Sequence, residues 1–332
     1  MAEEALLTMR GICKYFPGVR ALENVDFTLH SGEVHALVGE NGAGKSTLIK
    51  VLTGVHAKDG GKIAMEGRPI SPSSPLEAMK CGISTVYQEV NLCPNLSVAE
   101  NIFIGREPKK GFRIDDKKMI EDSKKLFQDL NIDIDPKETM GRLTVGKQQM
   151  CEIAKAISTD ARIIVFDEPT AALTETEINE LFKIIDDLRK KDLGIIYISH
   201  RMDEIKRITD RVTVMRDGEY VGTLVSKECT KDDIISMMVG RVVYEDPKEV
   251  SNVPADAEVV LKVEHLRAGK MVKDVSFELR KGEILGFSGL MGAGRTETAR
   301  AIFGADKIEG GDIYVHGRKV TIKSPKDAVK HG

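Results

Sequence analysis

The chain has 332 residues, 41% hydrophobic and 30% charged, a mix that supports a packed core and excludes a disordered or collagen-like chain. Lys and Arg number 49 against 52 Asp and Glu, so the net charge is −3 and no whole-chain basic footprint for nucleic acid exists. No apolar run approaches the ~20 residues needed to span a bilayer, so any membrane role is expected through a partner.

In chain order, the first aromatic candidates are Tyr15 and Phe16, of which Phe16 is the better stacking surface for a base. The apolar run Val34–Val38 reads as a buried strand. It is followed by Gly39-Glu40-Asn41-Gly42-Ala43-Gly44-Lys45-Ser46-Thr47, which fits G-x4-G-K-[ST]. Glycines let the backbone curl so that successive N–H groups face a phosphate. A helix beginning near Lys45 adds its N-terminal amides and dipole. Lys45 reaches the β/γ-phosphates in such a loop, and the Ser46 hydroxyl ligates Mg²⁺.

Further along stands Gln88, in the run Val86-Tyr87-Gln88-Glu89. Leu143-Thr144-Val145-Gly146-Lys147-Gln148-Gln149 precedes a helical stripe of Met150, Ile153, Ala154 and Ile157. Thr144, Gly146 and that helix N-terminus form a second potential anion site. The strand Ile163–Phe166 ends in Asp167-Glu168-Pro169-Thr170. A carboxylate pair at a buried strand end suits Asp167 to holding Mg²⁺ and Glu168 to polarising an attacking water. Thr174–Glu177 is a capping box ahead of Ile178, Leu181, Phe182 and Ile185 at helical spacing. The strand Ile195–Ser199 leads to His200. By themselves Gln88, His200 and Phe16 read as a polar loop side chain, a satisfied histidine and a surface aromatic. Alternating strands and helices imply an α/β fold with a mostly parallel sheet and its ligand at the strand C-terminal ends. Cys13, Cys81, Cys93, Cys151 and Cys229 form no CxxC pair and read as buried, reduced small hydrophobes.

An internal repeat organises the chain. Phe27–Glu33 resembles Phe277–Glu283, and Gly39, Gly42 and Gly44 map onto Gly289, Gly292 and Gly294. Gly61 maps onto Gly311, Gly67 onto Gly317 and Ser74-Pro75 onto Ser324-Pro325, every pair 250 residues apart. The expected organisation is a first domain at 1–244 with a helical subdomain at about 90–160, a linker at 245–257, and the N-terminal part of a second copy at 258–332. The second copy has about 75 residues where the first needs about 240, so truncation is expected.

These elements, in this order, resemble the ABC ATPase family, specifically the tandem ATP-binding subunits of bacterial monosaccharide importers of the ribose/galactose type. Lys14–Leu22, Gly39–Thr47, Gln88, Leu143–Gln149, Asp167–Thr170 and Ile198–His200 carry the likeness. The run Met237-Met238-Val239-Gly240-Arg241 and the loop Gly289–Arg295 narrow it to the sugar class. The resemblance implies a P-loop fold with an antiparallel β subdomain and a helical signature subdomain. It implies ATP and Mg²⁺ as ligands, with Phe16 on adenine, Gln88 sensing the partner and reaching Mg²⁺, and His200 at the γ-phosphate. It also implies a peripheral position on the cytoplasmic face of the plasma membrane. Permease subunits would dock at Gln88–Gly105, a secreted sugar-binding protein would act through them, and a second ATPase domain or second chain would face the site.

Three departures stand out. The signature carries Val145 where a glycine is usual, and Ala171–Thr174 replaces Ser-Ala-Leu-Asp. In the second copy Arg295, followed by Thr296, takes the lysine position, which keeps the charge but as a planar fork. That copy is expected to bind nucleotide without efficient hydrolysis. The signature facing Lys45 and Glu168 would lie past residue 332, so ATP binding with weak hydrolysis is expected unless two chains pair. The alternatives are a soluble tandem ATPase acting on nucleic acid or ribosomes, and a non-hydrolysing regulatory module. The slightly acidic chain opposes the first, and Glu168 with His200 opposes the second.

Overall fold

A computed structural model describes residues 5–87, 91–240, 253–254, 256–289 and 292–332. Gln88, Arg241, most of the expected linker, and residues 290–291 lie outside them. The chain divides into two compact units, Met1–Tyr244 and Glu245–Gly332.

In the first unit β1 (Leu7–Phe16) and β2 (Val19–Leu29) form a hairpin, and β3 (Val34–Val38) leads into α1 (Lys45–Leu52). Next come β4 (Gly60–Met65), β5 (Arg68–Ile70), α2 (Pro75–Lys80), β6 (Ile83–Val86) and α3 (Val98–Phe103). The short hairpin of β7 (Lys109–Lys110) and β8 (Arg113–Ile114) precedes α4 (Asp116–Asp129) and α5 (Val145–Ile157). The unit continues with β9 (Ile163–Asp167), α6 (Glu175–Arg189), β10 (Gly194–Ile198) and α7 (Met202–Ile208). It finishes with β11 (Arg211–Arg216), β12 (Glu219–Val225) and α8 (Lys231–Val239).

Two sheets build this unit. One is antiparallel, in the order β2-β1-β4-β5. The other runs β12-β11-β3-β10-β9-β6 and is parallel except for the β11–β12 pair. The apolar strands read in the sequence are continuous rather than alternating because the parallel sheet is covered on both faces. Ile163, Val165, Ile196 and Ile198 pack with β1, β2 and α1 residues such as Met9, Val25 and Leu48. Their neighbours Ile164, Phe166, Ile195 and Tyr197 point the other way, against Met150, Ile153, Leu181 and Ile185 of α5 and α6. Each such fully buried side chain contributes roughly 1.5–3 kcal/mol. Segment 91–157 holds α3, α4 and α5 with the β7–β8 hairpin between them.

Local chemistry sets the helix starts. Thr174 and Glu177 form the capping box expected at α6, and the same reciprocal bonding opens α3 at Ser97 and Glu100 and α8 at Thr230 and Asp233. Two expectations need correction. The strand before His200 stops at Ile198, one residue early, because the Ser199 hydroxyl turns inward onto Glu204. The cysteines are free thiols but not uniformly buried: Cys151 is buried, Cys93 is exposed, and the other three are half-buried. Cys93 sits outside any apolar stripe, in a turn whose backbone is held by the Asn101 side chain.

The second unit contains β13 (Val259–Ala268), β14 (Val272–Arg280), α9 (Arg295–Ile302), β15 (Gly310–Val315), β16 (Arg318–Val320) and α10 (Pro325–Lys330). Its antiparallel sheet has the order β14-β13-β15-β16, matching β2-β1-β4-β5 strand for strand. A small core of Val263, Leu266, Ala268, Val272 and Ala301 holds it.

One buried ionisable cluster ties the sheets of the first unit together. His35 on β3 is 1% exposed; its Nδ1 donates to the Thr28 carbonyl at 2.9 Å, so its Nε2 accepts from the Thr213 hydroxyl at 2.7 Å. Burial pushes its pKa from the ordinary 6.5 down to about 4, helped by Arg211 and opposed by Glu33. Burial also disfavours the Glu33 charge, but bonds from Arg211 and from the His30 amide outweigh it and hold that carboxyl below its usual range. Between pH 6.5 and 4 only the unfolded chain takes up the His35 proton, so stability present above pH 6.5 drains away as pH falls through that window. Glu33 adds its own loss only below about 4.5. Urea denaturation of the native chain is expected to show a larger stability loss from pH 7 to pH 5 than the His35→Gln variant; parallel losses would remove His35 from this role.

Candidate functional site at the strand ends

Three adjacent strands of the parallel sheet, in the order β3-β10-β9, end on the same side. Ladder pairing sets their relative heights, with Ile195 opposite Val34 and Ile198 opposite Asp167. Past those ends lie the Gly39–Thr47 loop, Asp167-Glu168 and His200. A cavity of about 980 Å³ opens there, lined by Phe16, the whole of 39–47, Asp167, Glu168 and His200. Val19 and Arg20 of the Lys14–Leu22 run and Met238 of the Met237–Arg241 run also line it. Tyr15 is not part of the lining; its hydroxyl bonds Glu23 at 3.2 Å.

The loop has the backbone that anion binding requires. Gly44 sits at φ 97°, where a Cβ would lie 2.8 Å from the Ala21 carbonyl oxygen, so only glycine fits ahead of α1. Lys45 then begins α1, and its Nζ donates to the carbonyls of Gly39 at 2.7 Å and Glu40 at 2.9 Å. Burial lowers the Lys45 pKa, against the pull of Glu168 and Asp167. A half-desolvated ammonium at a helix N-terminus is the environment that a polyanion restores.

Opposite it, burial and the adjacent Glu168 charge raise the Asp167 pKa, while Lys45 and Lys50 work the other way. Glu168 adopts φ 47°, an uncommon conformation for a side-chain-bearing residue. Its amide donates to the Ile198 carbonyl at 2.9 Å, and its Oε1 lies 3.2 Å from His200 Nδ1. Backbone strain of this kind is costly and is held only where the surroundings enforce it.

Among the described residues no group of three or more His, Cys, Asp or Glu is positioned to hold a metal. The donor set here is a hydroxyl, Ser46, with one carboxylate, Asp167, both lining the cavity. That set fits Mg²⁺, which keeps several waters and takes one or two protein ligands plus phosphate oxygens.

Not every expected residue converges on this cavity. Thr144 caps α5 by accepting from the Lys147 amide at 3.4 Å, and neither it nor Gly146 lines the cavity. A Cβ at Gly146 would lie 2.6 Å from a Glu177 carboxylate oxygen. In the second unit Gly289, Gly292 and Gly294 have φ of 152°, 78° and 85°, close to 159°, 87° and 97° at Gly39, Gly42 and Gly44. Arg295 and Thr296 begin α9 as Lys45 and Ser46 begin α1. The residues before that loop form no strand, and Ile284 is 98% exposed.

The sequence reading missed Glu204. This residue is 5% exposed, and its Oε2 accepts from Thr170 at 3.0 Å, Tyr197 at 2.8 Å and Ser199 at 3.1 Å. Its Oε1 pairs with Arg201 at 2.6 Å. One carboxylate thus ties the turn after Glu168 to the residues on both sides of His200. A glutamate at position i+3 on the polar start of a short helix looks like an ordinary first-turn acid; only the fold brings Thr170 and Tyr197 to it.

A glycine-loop cradle and an acidic strand end at the C-terminal edge of a parallel sheet define a P-loop nucleotide-binding cassette. The family described as "ABC transporter" matches residues 22–171 and 272–331, and the chain belongs to that family. A crystal structure of the ADP conformation of an ATP-binding cassette of an ABC transporter is 27% identical, with a TM-score of 0.63, covering 71% of this chain and 99% of that one. A "Putative ribose/galactose/methyl galactoside import ATP-binding protein 2" of Burkholderia cenocepacia is 54% identical over 99% of this chain. A "Putative ribose/galactose/methyl galactoside import ATP-binding protein" of Geobacillus kaustophilus is 49% identical over 100% of it. The chain spans 64% and 66% of the length of these two relatives.

Replacing Glu204 with Leu would leave three hydroxyl donors buried without an acceptor. A loss of about 3 kcal/mol or more is expected, read as a lower urea midpoint. Glu204→Gln, whose amide oxygen still accepts, should lose less; equal losses would mean that the carboxylate bonds contribute little.

Proposed function

We propose that the chain binds MgATP in the cavity between Phe16, Gly39–Thr47, Asp167–Glu168 and His200, and couples its hydrolysis to bacterial uptake of a monosaccharide of the ribose/galactose class. The convergence of those segments on one cavity carries the nucleotide part of this reading. The printed names of relatives at 49–54% identity support the sugar part.

Phe16, 37% exposed at the cavity edge, offers its ring to the adenine. Loop amides from Gly42 to Thr47 cradle the phosphates, and Lys45 exchanges its two carbonyl partners for phosphate oxygens. Ser46 and Asp167 are the residues that would hold Mg²⁺, with Gln88 as the third candidate. When bound, the ion neutralises phosphate charge. Glu168 accepts the proton of the attacking water, and His200, already 3.2 Å from that carboxylate, orients the γ-phosphate side.

The finer reading concerns the assembly. Residues 1–244 form one ATPase domain, 245–257 a linker, and 258–332 the start of a degenerate second domain whose Arg295 loop binds nucleotide without efficient turnover. Thr144 and Gly146 then serve a facing P-loop, in a second domain or a second chain, rather than Lys45 of the same domain. Closure around the nucleotide needs about 5.5 kcal/mol of differential binding to reverse a 1:99 population. Several charge-assisted hydrogen bonds at roughly 1.5–3 kcal/mol each supply that. The Gln88–Gly105 segment passes closure to transmembrane permease subunits, which receive sugar from an extracytoplasmic binding protein. This places the chain at the cytoplasmic face of the membrane as a peripheral subunit. Among the described residues no helix is long and apolar enough to cross it.

Two experiments test the reading. Glu168→Gln is expected to keep ATP affinity and lower single-turnover hydrolysis by roughly 10²-fold, whereas Lys45→Ala loses ATP binding itself; unchanged turnover in the first variant removes Glu168 from its role. Tagged chain expressed in its own host should co-purify with a polytopic membrane protein. Recovery with nucleic acid or ribosomes instead would favour the soluble alternative.

A further inference from the structure

The β7–β8 hairpin takes no part in the nucleotide cavity and buries nothing of its own. Lys109 pairs with Ile114 and Lys110 with Arg113 across a two-residue turn of Gly111 and Phe112. All six residues are exposed, and Phe112 at the tip is 108% exposed. No other described large apolar side chain of the first unit exceeds 59%. Ile114, at 52%, adds a second apolar group beside it.

The charge at the tip itself is basic, and the acids flank it at the base. Lys109, Lys110 and Arg113 flank Phe112, and none of them forms an ion pair among the described residues. The nearby acids sit at the base and are engaged by backbone. Glu107 accepts from the Gly105 amide at 2.8 Å, and Asp115 caps α4 by accepting from the Lys118 amide at 3.1 Å. The tip therefore presents an aromatic apex beside three cations, of which Lys109 also feels the Glu107 charge.

We propose that this tip is a membrane-surface anchor that inserts Phe112 among the acyl chains of an anionic bilayer while Lys109, Lys110 and Arg113 meet lipid phosphates. An exposed aromatic is unfavourable in water and gains by entering the acyl boundary. Cations beside it gain from the negative surface potential, each by roughly a fivefold factor in partition. A protein pocket for Phe112 would need carboxylates placed to match three clustered cations, whereas an anionic bilayer offers negative charge without a matched site. The anchor is a weak, reversible one, suited to holding a peripheral subunit near a membrane rather than fixing it there. It rests on the hairpin alone and not on the nucleotide chemistry.

The chain contains no Trp, so Phe112→Trp gives a single reporter at the apex. Adding vesicles of phosphatidylglycerol and phosphatidylcholine to the full 332-residue variant is expected to shift its emission to shorter wavelength. Vesicles of phosphatidylcholine alone, or inorganic phosphate, should leave it unchanged. Raising NaCl to 1 M shortens the screening length to about 3 Å and should reverse the shift. In co-sedimentation, Phe112→Ser in the otherwise native chain should weaken anionic-vesicle binding at least tenfold. Lys109→Glu with Lys110→Glu should abolish it. ATP binding, read in parallel, should be unaffected in every variant. No emission shift with anionic vesicles, an equal shift with phosphatidylcholine, a shift with phosphate alone, or a shift only when a partner protein is present would each overturn the proposal. Vesicle binding in a chain that fails to bind ATP would leave the anchor standing and sink the nucleotide reading instead.

Discussion

The parallel ladder joining β3, β10 and β9 is the constraint from which the site follows. Residues 39–47, 167–168 and 200 are far apart in the chain, yet pairing of Ile195 with Val34 and Ile198 with Asp167 brings their strands to a common edge. The hydrophobic faces lock that ladder. Ile163, Val165, Ile196 and Ile198 pack on one side, and Ile164, Phe166, Ile195 and Tyr197 on the other. A one-residue slip of β10 would exchange its own members of those sets, Ile196 and Ile198 for Ile195 and Tyr197, and move His200 away from Glu168. Core packing and the geometry of the strand-end cavity are therefore one requirement.

Electrostatics at that edge are poised rather than satisfied. Lys45 is half-buried with two loop carbonyls as its hydrogen-bond partners and two carboxylates as its nearest charges. Asp167 is held above its usual carboxylate range by burial and by Glu168. Both departures lessen when a polyanion and a divalent cation enter together. Around them the backbone is kept rigid: Glu168 at φ 47° is tied to Ile198, and Glu204 gathers Thr170, Ser199 and Arg201 around its single carboxylate. Such stiff support holds the groups that line the cavity in place.

The second unit shows the same physics with fewer partners. Its antiparallel sheet repeats the strand order of the first, and the glycines of its loop take nearly the same φ values. The segment before that loop is nevertheless unpaired. In the first unit β3 is a strand because β10 and β11 flank it, and those strands come more than 150 residues later in the sequence. Residues 284–288 have the same apolar character, but a strand is a property of a pair and not of a segment.

How much was legible follows from the range of each interaction. Local chemistry wrote itself into the sequence: the glycines of 39–44 need a backbone that other residues refuse, Thr174 and Glu177 cap their own helix, and the runs at 34–38, 163–166 and 195–198 read as buried strands. Those signals also marked Lys45, Ser46, Asp167 and Glu168, because phosphate and Mg²⁺ chemistry demands particular residue types beside such strands. Long-range pairing left no such trace. The exposure of Cys93 and the hub at Glu204 each depend on side chains brought in from elsewhere in the chain. Sequence determined which groups could do the chemistry; the sheet's pairing register decided which of them meet, since contacts between distant segments are encoded only in the packing of the whole.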